Sequence, residues 1–456
     1  MNGHIMAYNG CAAVDAVDSK PMPRVLFVCL WLLTIICFSA PGRIGPDSAG
    51  SLDVIALVKL GTRVGIFLVL LWMLYRYWRL PERGTVIACL APLALFAGWA
   101  VLSTLWSPLK AVSLGQASSL IVLVLLAMNL GLFCRGAEKT SAVLCSLSVA
   151  LLAFGVVVLI ANLAFPEIGG LSREAPGIVH PTTAGSAASL GIVVLVACRL
   201  LWGWKWTRVL LAPGVVVHIL LLLIAANRVS LFLTVLLGCA LFCVFASRLL
   251  VSLFIVVASV AAAVYITSDP GWQLAGSAMG GTTTYVTRGQ DADLSDLSGR
   301  REMWEAMWES YLRSPWIGHG YFVSSRTGEI YVWYRWTNWT AHNLWLQALV
   351  STGLVGAGLL ACGLGFPFLR LLGTRRAEPH IGKVLSLVLF VVGWYFVWGL
   401  FNASFLGPIE PESVAFFTIL GIAIGHIAWV ACPAEQRTTV ARRFTDIGTS
   451  WSLGRS

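Results

Sequence analysis

A histidine and an asparagine stand together in "TAHNLWLQALVSTGLVG", Thr340 to Gly356, where a polar stretch gives way to an apolar one. The pattern predicts a helix capped by Thr340, with His342 in its first turn. The positive end of a helix disfavours an imidazolium. A neutral imidazole there can take a proton near neutral pH, which is general-base chemistry. It can equally be a structural histidine with its hydrogen bonds met. Asn343 adds an amide at the same mouth. Gly353 and Gly356 read as close helix packing below it.

Cations upstream suggest an anion. "LSGRREMW" puts Ser298 near an N-cap and Arg300 and Arg301 in the first turn of a helix. Cations there oppose the helix dipole, and a bound anion would reverse that penalty. Guanidinium forks also match phosphate oxygens. Asp296, Glu302 or Glu305 could neutralise the pair instead. Arg228, in "AANRVSL", lies between two apolar stretches. A cation at a membrane edge has either a task or a snorkelling side chain. Lys59 and Arg63 are one helical turn apart. They could share an anion, or pair with Asp53 or with carboxylates elsewhere. "EIYVWYRWTNWTAHN" crowds Tyr331, Trp333, Tyr334, Trp336 and Trp339 before His342. Such rings form interfacial belts; they also suit the apolar faces of sugars. Asn338 opens a glycosylation sequon, and Arg288 is a further loop arginine outside these patterns.

What holds these residues is a membrane. Of 456 residues, 58% are hydrophobic and 11% charged, with a mean hydropathy of +0.82. Soluble domains carry about 25% charged residues. The apolar runs are long and do not alternate, which selects helices and predicts an all-α integral membrane protein. Spans are expected near 25–40, 55–78, 86–105, 112–134, 141–165, 184–203, 207–226, 229–247, 249–268, 342–369, 383–402 and 411–432. Only 269–341 is a long polar segment. Most of the 31 lysines and arginines fall in alternate connections, around Arg76–Arg83, Arg135–Lys139, Arg199–Arg208 and Arg370–Lys383. By the positive-inside rule both termini are cytoplasmic and 269–341 is external. The net charge of +10 is then mostly topology, with no call for nucleic acid.

The expected organisation is a cytoplasmic tail (1–24), nine spans (25–268), the external loop (269–341), three spans (342–432) and a second tail (433–456). Residues 25–40 end in "CFSAPG", like a signal-peptide cleavage site. The tail before them is long for a signal peptide, so a retained span is expected. Residues 269–299 are rich in Gly, Ser, Thr and Asp. After them Met303, Trp304, Met307, Trp308, Tyr311 and Leu312 recur at helical spacing, as in an interfacial helix, and Pro315 ends it. The eleven cysteines show no disulfide or metal spacing.

In order along the chain, "STLWSP", "VHPTTAGSAASLGIV", "ANRVSLFLTVLLG", "LSGRREMW", "SPWIGHGY" and "AHNLWLQALVSTGLVG" resemble the motifs of the O-antigen ligase and polymerase superfamily of bacterial envelope enzymes. The resemblance covers about 85–430. It implies a periplasmic active site on the inner membrane. The donor would be a polyprenyl-pyrophosphate-linked glycan. The acceptor would be a sugar hydroxyl, on lipid A-core for a ligase or on nascent polysaccharide for a polymerase. It implies catalysis without metal or cofactor. His342 matches the family's histidine, and Arg228 and Arg300 its arginines, with Arg301 adjacent. Lys59, Arg63, Asn343, Trp336 and Trp339 are the further substrate-binding candidates. The family segment often has Ser before its Arg; here Asn227 stands there. A different class remains open: a polysaccharide or lipid transporter or flippase without transferase chemistry.

Overall fold

The computed structural model describes residues 23–38, 54–78, 80, 82–171, 177–245, 300–327, 330–332, 336–338, 340–374 and 379–432. The helices are α1 (Arg24–Ile35), α2 (Val54–Arg76), α3 (Arg83–Leu102), α4 (Lys110–Phe133), α5 (Gly136–Ala164), α6 (Pro181–Leu201), α7 (Lys205–Ala225), α8 (Arg228–Phe245), α9 (Arg300–Arg313), α10 (Leu344–Thr374), α11 (Pro379–Gly399) and α12 (Pro411–Ala431). A short antiparallel pair, β1 (Ile330–Val332) and β2 (Trp336–Asn338), sets Tyr331 opposite Thr337. Among the described residues, nine helices are long and apolar enough to cross a membrane, and Arg24–Ile35 and Arg228–Leu241 are shorter apolar helices. The protein is an all-α integral membrane protein. The span expected at 249–268 lies outside the described residues, as do 269–299 and the tails.

Composition explains which helices are central. α6 is rich in small residues, and Ala184, Ser186, Ala187, Ala188 and Ser189 are all buried. Small residues let helix backbones approach closely where lipid offers no hydrophobic drive to associate. α12 is buried nearly all round and crosses α4 closely. A Cβ at Gly421 would come 2.8 Å from the Ala127 carbonyl oxygen, so that position takes nothing larger. α2 is peripheral, with Val64, Leu68 and Trp72 exposed as for a lipid-facing helix.

The two ends of the bundle differ. At one, Arg135 and Glu82 form a buried ion pair at 3.0 Å, with the guanidinium 5.7 Å from the Trp429 ring centre. Thr140 and His426 join nearby at 2.9 Å. At the other, which carries α9, the first part of α10 is interrupted. Gly353 has φ 66° and ψ −171°, so α10 is two helices meeting at a break.

A broken helix leaves carbonyls and N–H groups without partners, a serious cost in an apolar setting. The segment after α9 meets them. His319 N–H donates to the Val350 carbonyl and Gly320 N–H to that of Ser351, both at 3.0 Å. Trp99 Nε1 donates to the Thr352 carbonyl at 3.0 Å. Across the break, Leu354 N–H donates to the Pro315 carbonyl at 2.8 Å and Val355 N–H to that of Trp316 at 3.3 Å. Gly353 is therefore more than a packing residue: a Cβ there would collide with the backbone of Trp316 and Ile317. Gly356 does pack closely, against Thr352 and Trp99.

Gly353→Ala should cost at least about 2 kcal/mol, from the left-handed φ and the collision together. Gly358→Ala, where an added Cβ meets nothing within 4 Å, should be near neutral. Thermal unfolding in detergent compares the two; equal midpoints would show that the break does not hold the fold.

Candidate functional site

The mouth of α10 is built by Asn343. The helix begins at Leu344, and Asn343 Oδ1 accepts from the N–H groups of Trp345 and Leu346, both at 3.0 Å. That is N-cap geometry. Asn343, not Thr340, is the cap, and His342 lies just before the helix, not in its first turn. The physical reason is that Asn343 satisfies two targets at once: its Nδ2 also donates to the Leu400 carbonyl at 3.2 Å. His342 takes a left-handed φ of 44°, unusual for a residue with a side chain. Its Nε2 is 3.4 Å from Thr340 Oγ1, and the ring is half-buried.

On one side of His342, Ala341 is held three ways. It is fully buried, its N–H donates to Gln347 Oε1 at 2.7 Å, and its carbonyl accepts from Trp304 Nε1 at 2.8 Å. Met303, Met307 and Tyr311 of α9 pack with Ala341 and Val350. Much of the apolar face of α9 is thus turned onto α10, while Trp308 and Leu312 stay exposed. Arg300 is the first residue of α9, one turn before Trp304, so this packing draws the start of α9 towards His342. Arg301 follows it. Both are placed by their backbone alone. Trp336 is placed only as a strand residue of β2, and Ser298, Arg288 and Trp339 lie outside the described residues.

Arg228 opens α8 at the same end of the bundle. Asn227 before it is buried against α6: its Nδ2 is 3.4 Å from the Thr182 carbonyl, and a Cβ on Gly185 would press on its side chain. Asn227 Oδ1 accepts from Ser230 N–H at 3.1 Å, capping α8. Asn is therefore a working residue before this arginine. Arg228 is half-buried, and its Nε has no hydrogen-bond partner among the described residues. Farther down, Trp394 of α11 and Thr234 of α8 both donate to Ser189 of α6, at 2.8 Å each. α11 ends at Gly399, which packs on Leu344. Arg228 and the His342 mouth are thus tied through α6 and α11.

Lys59 and Arg63 sit on α2 apart from that tie. Arg63 Nε is buried without a partner among the described residues. Lys59 shares an electrostatic neighbourhood with Cys37, Glu410 and Glu412, which favours pairing with carboxylates elsewhere in the chain. Those two acids were missed by sequence reasoning. Glu412, in the first turn of α12, is fully buried near Glu410, Ser186 and Tyr395. The available signal was "EPES" at the entrance to an apolar run, since acids inside membrane segments are rarely idle.

A serine clamp fixes the loop from the other side. Ser103 Oγ accepts from Tyr321 N–H at 2.8 Å, and Ser113 Oγ donates to the Tyr321 carbonyl at 2.7 Å. Ser107 bonds Ser113 at 2.7 Å and leaves no room for a Cβ on Gly320. The "STLWSP", "SPWIGHGY" and "STG" segments therefore meet in space. His319 completes the joint, with Nε2 2.8 Å from the Ser310 carbonyl. Burial holds its imidazole below the usual histidine range; the Ser310 hydrogen bond opposes the shift, and Arg326 and Arg313 add to it.

A family model described as O-antigen ligase matches residues 176–361. The match runs from the entry to α6 through the break in α10. It includes Arg228, Arg300, Arg301, Trp336, Trp339, His342 and Asn343, and leaves out Lys59, Arg63 and Glu412. No curated protein matches the chain.

Because His319 is held neutral when folded and free to protonate when unfolded, its contribution is complete above the unfolded value of about 6.5 and is lost as pH falls below it. Protection factors of Gly320–Val323, that is exchange rates corrected for base catalysis, should fall as pH drops below about 6.5, and His319→Gln should flatten that dependence. Unchanged pH dependence in the variant would remove His319 from the account.

Proposed function

We propose that this chain, a member of the O-antigen ligase and polymerase superfamily through residues 176–361, moves a glycan from a polyprenyl-pyrophosphate donor to a sugar hydroxyl at the periplasmic face of the bacterial inner membrane. It is a membrane glycan transferase of the ligase or polymerase type; donor, acceptor and face are our reading. The observation that carries it is Arg228: a guanidinium with a buried Nε that lacks a partner among the described residues, inside the matched region and tied to the His342 mouth.

In this reading the bond between the anomeric carbon and the pyrophosphate oxygen breaks, and its electron pair leaves with the pyrophosphate. Arg228 and Arg300 stabilise that growing charge, which helps most in the transition state. Arg301 adds positive potential beside Arg300, and Lys59 and Arg63, set apart on α2, are further candidates for the pyrophosphate. His342 accepts the proton of the acceptor hydroxyl as its oxygen attacks the anomeric carbon from the opposite side, inverting it. Asn343 fixes the backbone that carries the imidazole, and Trp336 and Trp339 offer flat faces to the glycan. The tails, the spans and the 269–341 loop take the places the positive-inside rule assigns, with both termini cytoplasmic.

His342→Ala and Arg228→Ala should each lower transfer from a lipid-linked donor at least about a hundredfold while the protein still inserts in membranes. Transfer in inverted and right-side-out vesicles, followed by gel mobility of the glycan, measures this. Normal product from both variants would overturn the mechanism. Gene deletion separates the acceptors. Uncapped core with accumulated lipid-linked chains marks a ligase; shortened chains or lost exopolysaccharide mark a polymerase. Solute movement without donor turnover would mark a transporter.

A further inference from the structure

The C-terminal half of α9 borders a polar cavity. Glu309, Ser310 and Arg313 of α9 form one wall, and Ser325, Arg326 and Thr327 the other, around about 240 Å³. Buried Ser310 stitches the walls together. Its Oγ donates to the Ser324 carbonyl at 2.8 Å, and its carbonyl lies 2.8 Å from His319 Nε2. Both guanidiniums bear on the buried His319 imidazole, so they converge on one place. Arg326 reaches the Arg313 carbonyl at 3.5 Å with one N–H and keeps its other donors. Glu309 stands one turn before Arg313, the spacing at which opposite charges usually pair. Yet among the described residues no ion pair joins either arginine to an acid. Two like charges thus share a pocket with the hydroxyls of Ser325 and Thr327, themselves 3.0 Å apart.

The pocket is separate from the mouth of α10. Trp304, which bonds the Ala341 carbonyl beside His342, lies nine residues before Arg313. That is about two and a half turns, so the two sit on opposite flanks of α9. A glycan reacting at His342 reaches the pocket only across the width of α9, about 10 Å. We infer that this pocket binds an acidic sugar of the glycan, a uronic-acid residue beyond the one that reacts; this rests on the transferase reading above. A guanidinium fork takes a carboxylate through two parallel hydrogen bonds. Ser325, Thr327 and Glu309 are left to meet the ring hydroxyls. Glu309 also selects against phosphate: its carboxylate opposes a dianion more than a singly charged uronate, and it can accept from a sugar hydroxyl. The lining holds no apolar side chain larger than alanine, so it offers nothing to the acyl chains of a phospholipid.

The test uses the full chain in detergent, with isotope-labelled histidines and trigalacturonate as the probe. Equilibrium dialysis measures affinity. NMR follows His319, identified by the signal lost in His319→Gln. Binding should raise the titration midpoint of His319, because a bound carboxylate offsets the field of Arg313 and Arg326 that holds it down. Trigalacturonate with its carboxylates reduced to alcohols should neither bind nor shift His319. Inorganic phosphate and glycerol phosphate should bind at least about tenfold more weakly than the uronate. Replacing both arginines, Arg313→Gln with Arg326→Gln, should weaken trigalacturonate binding at least about tenfold and remove the shift. Both side chains are exposed, so the unfolding midpoint should stay near that of the parent. The comparison of acidic and reduced sugars needs no variant and decides even if the substitutions disturb the loop. Equal binding of the reduced sugar or of either phosphate would overturn the site. So would unchanged affinity in the double variant, or binding that leaves His319 unmoved. The measurement needs no turnover. Uronate binding with no transfer from any lipid-linked donor would therefore overturn the transferase reading alone, and transfer without uronate binding would overturn the pocket alone.

Discussion

The loop end of this protein depends on an exchange of main-chain hydrogen bonds across a broken helix. α10 stops at Gly353 and restarts, and the groups it strands are met by residues 315–320 and by Trp99. In lipid such groups have no water to turn to. The segment after α9 thus satisfies the break, and the break in turn gives that segment part of its anchorage. Tyr321, clamped by Ser103 and Ser113, fastens the same segment to α3 and α4. α9 follows, laid along the first part of α10, and brings Arg300 towards His342.

Charge is distributed unevenly between the two ends. Arg135 and Glu82 neutralise each other in a buried pair at one end. At the other, Arg228 and Arg63 each bury a guanidinium nitrogen without a partner among the described residues, while Lys59 lies in the neighbourhood of Glu410 and Glu412. Buried charge left uncompensated is costly. In the function proposed above such groups serve an anionic ligand, while the closed pair opposite joins the entry to α3 to the turn after α4.

Much of this was legible in the sequence, for identifiable reasons. Spans follow from hydropathy, which is a local property. The apolar spacing of Met303, Met307 and Tyr311 was visible, but its partner was not: periodicity says that a face is buried, not whether lipid or α10 buries it. Thr340 and Asn343 are both good caps, and the choice was made by the Leu400 carbonyl, far along the chain. Gly353 looked like any small residue in a membrane helix, because its left-handed φ is imposed by Trp316 and Ile317. Glu412 was passed over because its surroundings come from α1, α6 and α11, which no local pattern joins. The roles proposed for His342 and Arg228 rest on chemical type at a membrane edge and on the order of motifs.

The seam between 315–320 and 350–355 is made almost wholly of backbone atoms, and this bears on how such a protein can diversify. Bonds that run from backbone to backbone do not depend on the identity of most side chains around them, although Trp99 and His319 add side-chain bonds beside the seam. Three positions are exceptions, since Gly318, Gly320 and Gly353 combine positive φ with no room for a Cβ. Beyond these and the buried anchors already described, exposed positions such as Trp308 and Leu312 can change without loosening the seam. The loop surface can then vary while the spacing between α9 and the mouth of α10 is inherited unchanged.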